Sequence, residues 1–154
     1  MYISTVKRQD IKSIISIAQS AMMVSVEASS ETKNTLLVSI QKDIEKYLTQ
    51  QGCYLKYNNG NTVGYILIKE YWNLAHLFVA PSAHNQGIGK ALWSSALEIC
   101  RKENTERFIR VNSSLNAVGF YKKLGFCDFS PERPAPKFAT PLIYWLDKDD
   151  KPEL

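Results

Sequence analysis

The stretch "LFVAPSAHNQGIGKALWSSAL", residues 77–97, sets an apolar run against a helix-like one, with Gly87 and Gly89 between them. A helix that opens there leaves its first backbone N–H groups without intrahelical partners, and its dipole adds positive potential at the same end. The missing Cβ atoms let an anion approach the backbone closely. Such a turn is a phosphate cradle or, more plainly, a turn that glycine permits. Two familiar cradles do not fit. A Walker loop needs GxxxxGK[ST], but Ala91 follows Lys90 and His84 stands at the first glycine position. The dinucleotide fingerprint GxGxxG needs a third glycine where Leu92 stands, and an acidic residue at the end of the next strand, which is missing.

Around this turn the chain alternates strands and helices. "YISTV" reads as a strand, and Asp10 as the cap of a helix carrying Ile11, Ile14, Ile15, Ala18 and Met22 at helical spacing. "VSVEASSETKN" interrupts the pattern. A second helix follows, with Leu36, Leu37, Ile40, Ile44, Tyr47 and Leu48 on one side. "GCYLKY" and "TVGYILIKEY" flank "NNGN", a hairpin turn in which Asn and Gly tolerate positive φ. "LAHLFVA" is a third strand of this group, ending at Pro81. A helix from about Ser82 to Lys102 buries Ile88, Leu92, Ala96 and Ile99. "RFIRV" is a strand, and a short helix with Ala117, Phe120, Tyr121 and Leu124 stops at Gly125. After the proline-rich "PERPAPK", "TPLIYWL" closes as a strand. The order predicts an α/β fold with an antiparallel meander before a βαβ unit.

The 154 residues, 45% hydrophobic and 22% charged, suit one globular domain spanning 1–154. A net charge of +4, spread along the chain, permits an anionic ligand but does not form the basic patch of a nucleic-acid binder. No apolar run is long enough to span a membrane, and "MYISTVKRQD" lacks the apolar core of a secretory signal. Cys53, Cys100 and Cys127 lie far apart without metal-ligand spacing. They read as core thiols of a cytoplasmic protein, and no metal site is expected.

"HLFVAPSAHNQGIGKAL" followed by "SSLNAVGFYKKLGF" resembles the GNAT superfamily of N-acetyltransferases. Val79, Pro81, Gly87 and Gly89 match the family's V-x-P-x-x-[RQ]-x-x-G-x-[GA]; Asn116, Ala117, Phe120, Tyr121, Gly125 and Phe126 match its N-A-x-x-F-Y-x-x-x-G-F. The likeness is close over residues 71–129. It departs at His84, where the family has Arg or Gln, with Asn85 and Gln86 following. It departs again at Ser114, where an Asn is common.

The resemblance implies a GNAT fold: a mixed central sheet of about six to seven strands with about four helices on both faces. It implies that acetyl-CoA is the acetyl donor, its pyrophosphate held at His84, Asn85, Gln86, Gly87, Ile88, Gly89 and Lys90. Its pantetheine arm would run along Leu77, Phe78 and Val79, with Ser114, Asn116, Ala117, Phe120 and Tyr121 beside it. A main-chain N–H near Val79 would stabilise the oxyanion. Tyr121 is the candidate acid for the leaving thiolate, although its place on the apolar stripe also suits a packing role. For the base, His76 is the titrating candidate on the strand before the turn, with Glu70 and Tyr71 as alternatives. Strict alternation puts His76 on the face opposite Leu77 and Val79; a β-bulge would swap the faces. The expected partners are acetyl-CoA and an amine of a small molecule or protein, with the chain a monomer or homodimer. The rival expectation is a GNAT-fold sensor or subunit that binds CoA without transferring acetyl.

Overall fold

The computed structural model describes residues 2–25, 29–135 and 139–147. Along them run β1 (Ile3–Thr5), α1 (Ile11–Ser25), α2 (Ser30–Lys46), β2 (Gly52–Asn58), β3 (Thr62–Lys69) and β4 (Asn73–Val79). There follow α3 (Ile88–Glu103), β5 (Phe108–Ser114), α4 (Val118–Leu124), β6 (Cys127–Asp128) and β7 (Ala139–Trp145). The strands form one sheet in the order β1-β2-β3-β4-β5-β7-β6. All neighbours are antiparallel except β4 and β5, the pair joined by the α3 crossover. This is the mixed α/β sheet that the element order implies.

Each face of the sheet has its own core. Ile66, Ile68, Leu74, Ile109 and Val111 pack with Ile88, Leu92, Trp93 and Ala96 of α3 and with Tyr121 of α4. Tyr54, Tyr65 and Leu67 pack on the other face with Ile14, Ile17 and Ala18 of α1 and Ile44 of α2. Alternation along β3 feeds both, because successive side chains of a strand point to opposite faces.

Three local expectations need correction. The helix expected from about Ser82 starts at Ile88. Pro81–Ala83 form a 3-10 turn, then Asn85 (φ 63°) and Gly87 (φ 74°) take left-handed conformations that no α-helix contains. Asp10 does not cap α1 from outside. It ends a 3-10 turn, Arg8–Asp10, that runs into α1, and its carboxylate accepts from the Lys7 N–H at 2.8 Å and from Lys56 Nζ at 2.7 Å. The break between the first two helices is shorter than composition implies: α2 begins at Ser30, where Ser29 accepts from the Thr32 N–H. The short β6 had no sequence signal.

Candidate active site

The site forms where the only parallel pair of described strands comes apart. β4 and β5 are in register at Asn73↔Arg110 and Leu74↔Val111, tied by the Arg110 N–H donating to the Trp72 carbonyl at 2.7 Å. Beyond those residues β4 stays on β3 and β5 stays on β7, so the two strands diverge. A cleft of about 250 Å³ opens between them, its walls including Leu74, Ala75, Leu77 and Phe78 of β4 and Val111–Ser114 of β5. Tyr121 and Ala117 close one side, and Met22, Leu36 and Ile40 of the first two helices close the other.

The backbone of β4 is divided between its two neighbours. Ala80 donates to the Val63 carbonyl at 2.7 Å, and hydrogen-bonded pairs alternate along an antiparallel ladder. Phe78, opposite Tyr65, therefore spends its N–H and C=O on β3, while Leu77 and Val79 direct theirs toward the gap. Val79's carbonyl accepts from His84, whose ring Nε2 lies 2.9 Å away. The exposed His84 side chain thus folds the loop back onto the end of the strand.

At the mouth of the cleft, α3 presents an N-terminus with no side-chain cap and no acidic residue in its first turn. The φ of 74° at Gly87 is cheap only for glycine, and a Cβ there would meet nothing within 4 Å. Gly89 differs, because a Cβ on it would stand 3.3 Å from Cζ of Phe120 and 3.9 Å from Cγ2 of Val79. At this glycine α3 therefore packs close to side chains of both α4 and β4. Asn85, Gln86 and Lys90 are exposed around the turn, and Ile88 is buried beneath it. Free amides, a basic neighbour and a cradle that a Cβ would narrow fit a pyrophosphate.

Tyr121 is 6% exposed and stacks edge-on between Phe120 and Phe126, at 5.3 Å from each ring. Burial pushes its phenol well above the usual tyrosine range. Ser114 stands just before the 3-10 turn Leu115–Ala117, makes no side-chain capping bond and lines the cleft, while Asn116 and Phe120 are exposed.

His76 lies elsewhere. A bulge is present in β4, with Ala75 unpaired between Leu67↔His76 and Ile68↔Leu74, but it acts upstream of His76. Leu74 joins Leu77 and Val79 on the α3 face, and His76 joins Phe78 on the face under α1 and α2. There His76 is 2% exposed, with Nδ1 3.1 Å from the Tyr65 hydroxyl and Nε2 3.5 Å from Asp43. Burial lowers its pKa, and the nearby Asp43 carboxylate offsets this only in part. Asp43 also holds Lys69 at 2.6 Å. Burial raises the Asp43 pKa, but the hydrogen bonds from His76 and Lys69 outweigh it and bring the group to about 2. Glu70 and Tyr71 sit in the β3–β4 turn, at the end of β4 away from Val79, and Glu70 accepts from the Trp72 indole at 3.2 Å.

The sequence profile of the acetyltransferase (GNAT) domain matches residues 16–136, most of the chain. The chain belongs to the GNAT acetyltransferase family. Solved GNAT structures share its fold at low identity. A GCN5-related N-acetyltransferase from Rhodopseudomonas palustris superposes with TM-score 0.80 at 16% identity over 94% of each chain. PaiA N-acetyltransferase from Thermoplasma acidophilum, solved with coenzyme A, gives 0.78 at 20% identity over 93% of this chain and 97% of that one. YncA from Salmonella typhimurium, solved with acetyl-CoA, gives 0.70 at 16% identity over 99% and 98%.

The cleft walls missing from the predicted site residues are Met22, Leu36, Ile40, Leu74 and Ala75, with Val111, Asn112 and Ser113 of β5. Leu36 had a signal of sorts: it continues the apolar stripe of α2, yet it is 42% exposed because it faces the cleft instead of the core.

Proposed function

We propose that this GNAT domain, one domain over residues 1–154, moves the acetyl group of acetyl-CoA to a primary amine by direct attack in a ternary complex. The observation that carries this reading is the divergence of β4 from β5 beside Tyr121, with the uncapped start of α3 at its mouth. Acetyl-CoA, when bound, supplies an activated thioester carbonyl. The α3 amides from Ile88 onward and Lys90 would hold its pyrophosphate, and Leu77 and Val79 would pair with its pantetheine arm as a strand does. Their N–H groups aim toward the gap, where one of them would stabilise negative charge on the carbonyl oxygen, an effect of a few kcal/mol.

In the transfer, the nitrogen–carbon bond forms, the carbon–sulfur bond breaks, the amine loses a proton and the sulfur gains one. Tyr121 would give the sulfur its proton. Burial keeps the phenol protonated at rest, and the same apolar surroundings make the departing thiolate more basic and so a better acceptor. Among the described residues lining the cleft there is no carboxylate or imidazole. With both nitrogens of His76 engaged outside the cleft, the amine proton would leave through water, and His76 would brace β4 against α2. Water suffices most readily for an amine of low pKa, such as an α-amino group near 7.8.

The same lack of a base in the cleft favours the second reading, a CoA-binding module that does not transfer acetyl. Incubation with acetyl-CoA and a panel of amines, followed by titration of free thiol, separates the two. Amine-dependent thiol release supports transfer; CoA binding without it supports the module. We place the protein in the cytoplasm on composition alone.

A further inference from the structure

Two further hollows share residues of β5 with the cleft. Val111 and Asn112 line it, and they also line a small cavity of about 120 Å³ with Trp72, Asn73 and Arg110. Arg110 and Asn112 in turn line a larger cavity of about 530 Å³, walled by Phe129 and by the proline-rich loop from Pro131 to Ala135. Three hollows thus share one strand, on the side of the site away from the glycine turn.

Arg110 is placed for use in this groove. It is half-buried, and its guanidinium lies over the Phe129 ring, 4.5 Å from the centroid. A ring beneath a guanidinium takes up none of its N–H donors, and those donors match the two oxygens of a carboxylate. Among the described residues no carboxylate forms an ion pair with it. The other charges on the larger cavity, among the described residues, are Glu132 and Arg133, of opposite sign and both exposed, so water screens them more than it screens Arg110. Asn112, at the splay, and Arg110 are two residues apart, about 6.6 Å along the strand.

On the transfer reading above, we infer that Arg110 is the specificity-determining residue of the acceptor site, and that the acceptor is a primary amine carrying a carboxylate several bonds from its nitrogen. The amine would lie at the splay beside Tyr121 and the carboxylate at the guanidinium edge. A charge-assisted hydrogen bond to a half-buried arginine favours such an acceptor over its neutral analogue by about ten- to a hundred-fold.

The test compares kcat/KM, by thiol release, for β-alanine, 4-aminobutyrate and diglycine against the amide of each, with spermidine as a carboxylate-free amine. The parent should prefer the acids by about ten-fold or more; Arg110→Met should bring the ratio close to one, and Arg110→Lys should restore part of it. The acetyl-CoA-dependent rise in melting temperature should be the same in all three proteins, which reports an intact fold. Calorimetry with glutarate on the CoA-saturated protein gives a readout without turnover: binding in the parent and its loss in Arg110→Met are expected. If amines are acetylated with no preference for acids, or spermidine outruns every acid, the inference fails while the transfer reading stands. No thiol release with any amine counts against transfer itself. Glutarate that fails to bind, or that binds both proteins alike, overturns the role of Arg110 independently.

Discussion

Gly89→Asp puts a carboxylate two residues past the N-cap of α3, where fold and ligand want opposite things. For the fold, a negative charge in the first turn of an uncapped helix is worth about 0.3–1 kcal/mol. Its Cβ would stand 3.3 Å from the Phe120 ring, which must give by a few tenths of an ångström; at 37% exposed, that ring has room to do so. The apo protein should therefore melt within about 4 °C of the parent. For the ligand, a carboxylate roughly 5 Å from a phosphate is repelled by about 1–3 kcal/mol per charge. A loss of about 2 kcal/mol in all raises the CoA Kd about thirty-fold. At CoA one hundred times the parent Kd, binding stabilises the parent by about 2.7 kcal/mol, or about 5–10 °C, and the variant by about 0.9 kcal/mol. Thermal melts with and without CoA read both quantities, and Gly89→Ala, with the same Cβ and no charge, is the control. A Gly89→Asp protein with the parent's CoA-dependent shift would show that no phosphate lies at α3. Equal loss in the alanine variant would show that shape, not charge, governs binding there.

Tyr121→Phe should lower kcat about ten- to a thousand-fold with little change in acetyl-CoA affinity, measured on an acceptor for which chemistry is rate-limiting; an unchanged kcat would leave Tyr121 a packing residue. His76→Ala should cost about 2–3 kcal/mol in urea unfolding, because it leaves Tyr65 and Asp43 short of a buried partner, and the pH–rate profile should not move. The acidic limb of kcat/KM should instead follow the pKa of whichever amine is used; a limb fixed near one pH across acceptors would mean that a protein group takes the proton. Asp43 has a folded pKa of about 2, below its unfolded value, so its contribution is complete above about pH 4 and is lost as pH falls toward 2. The lowered pKa of His76 adds a loss that begins below about pH 6.5. Melting temperatures from pH 7 to 2 should fall in both ranges, and Asp43→Asn should shrink the lower one. The part due to Asp10 should remain, because burial raises its pKa but the hydrogen bonds from Lys56 and Lys7 outweigh this and lower it.

Local signals carried the turn and the strands. Proline followed by two glycines marks the end of β4 and the start of an anion-ready helix because those residues act through their own backbone geometry, which neighbours in sequence fix. The longer strands showed as β-rich runs bounded by turn residues, while the two-residue β6 did not show at all. The seven-residue spacing from Ser114 to Tyr121 likewise survives folding, since both belong to one short strand-turn-helix unit. Strict alternation placed His76 correctly, opposite Leu77 and Val79, but it put Leu74 on the wrong face. A one-residue bulge at Ala75 moves Leu74 to the α3 side, and nothing local to "NLAHLF" says where the register slips, because the slip is settled by pairing with β3. The cleft walls Met22, Leu36 and Ile40 read as ordinary core positions, since exposure at a cleft depends on what the rest of the sheet leaves uncovered. Arg110 looks in sequence like one more scattered charge. Only the parting of β4 from β5, and the return of Phe129 beneath its guanidinium, place that charge in a cavity that shares Asn112 with the cleft.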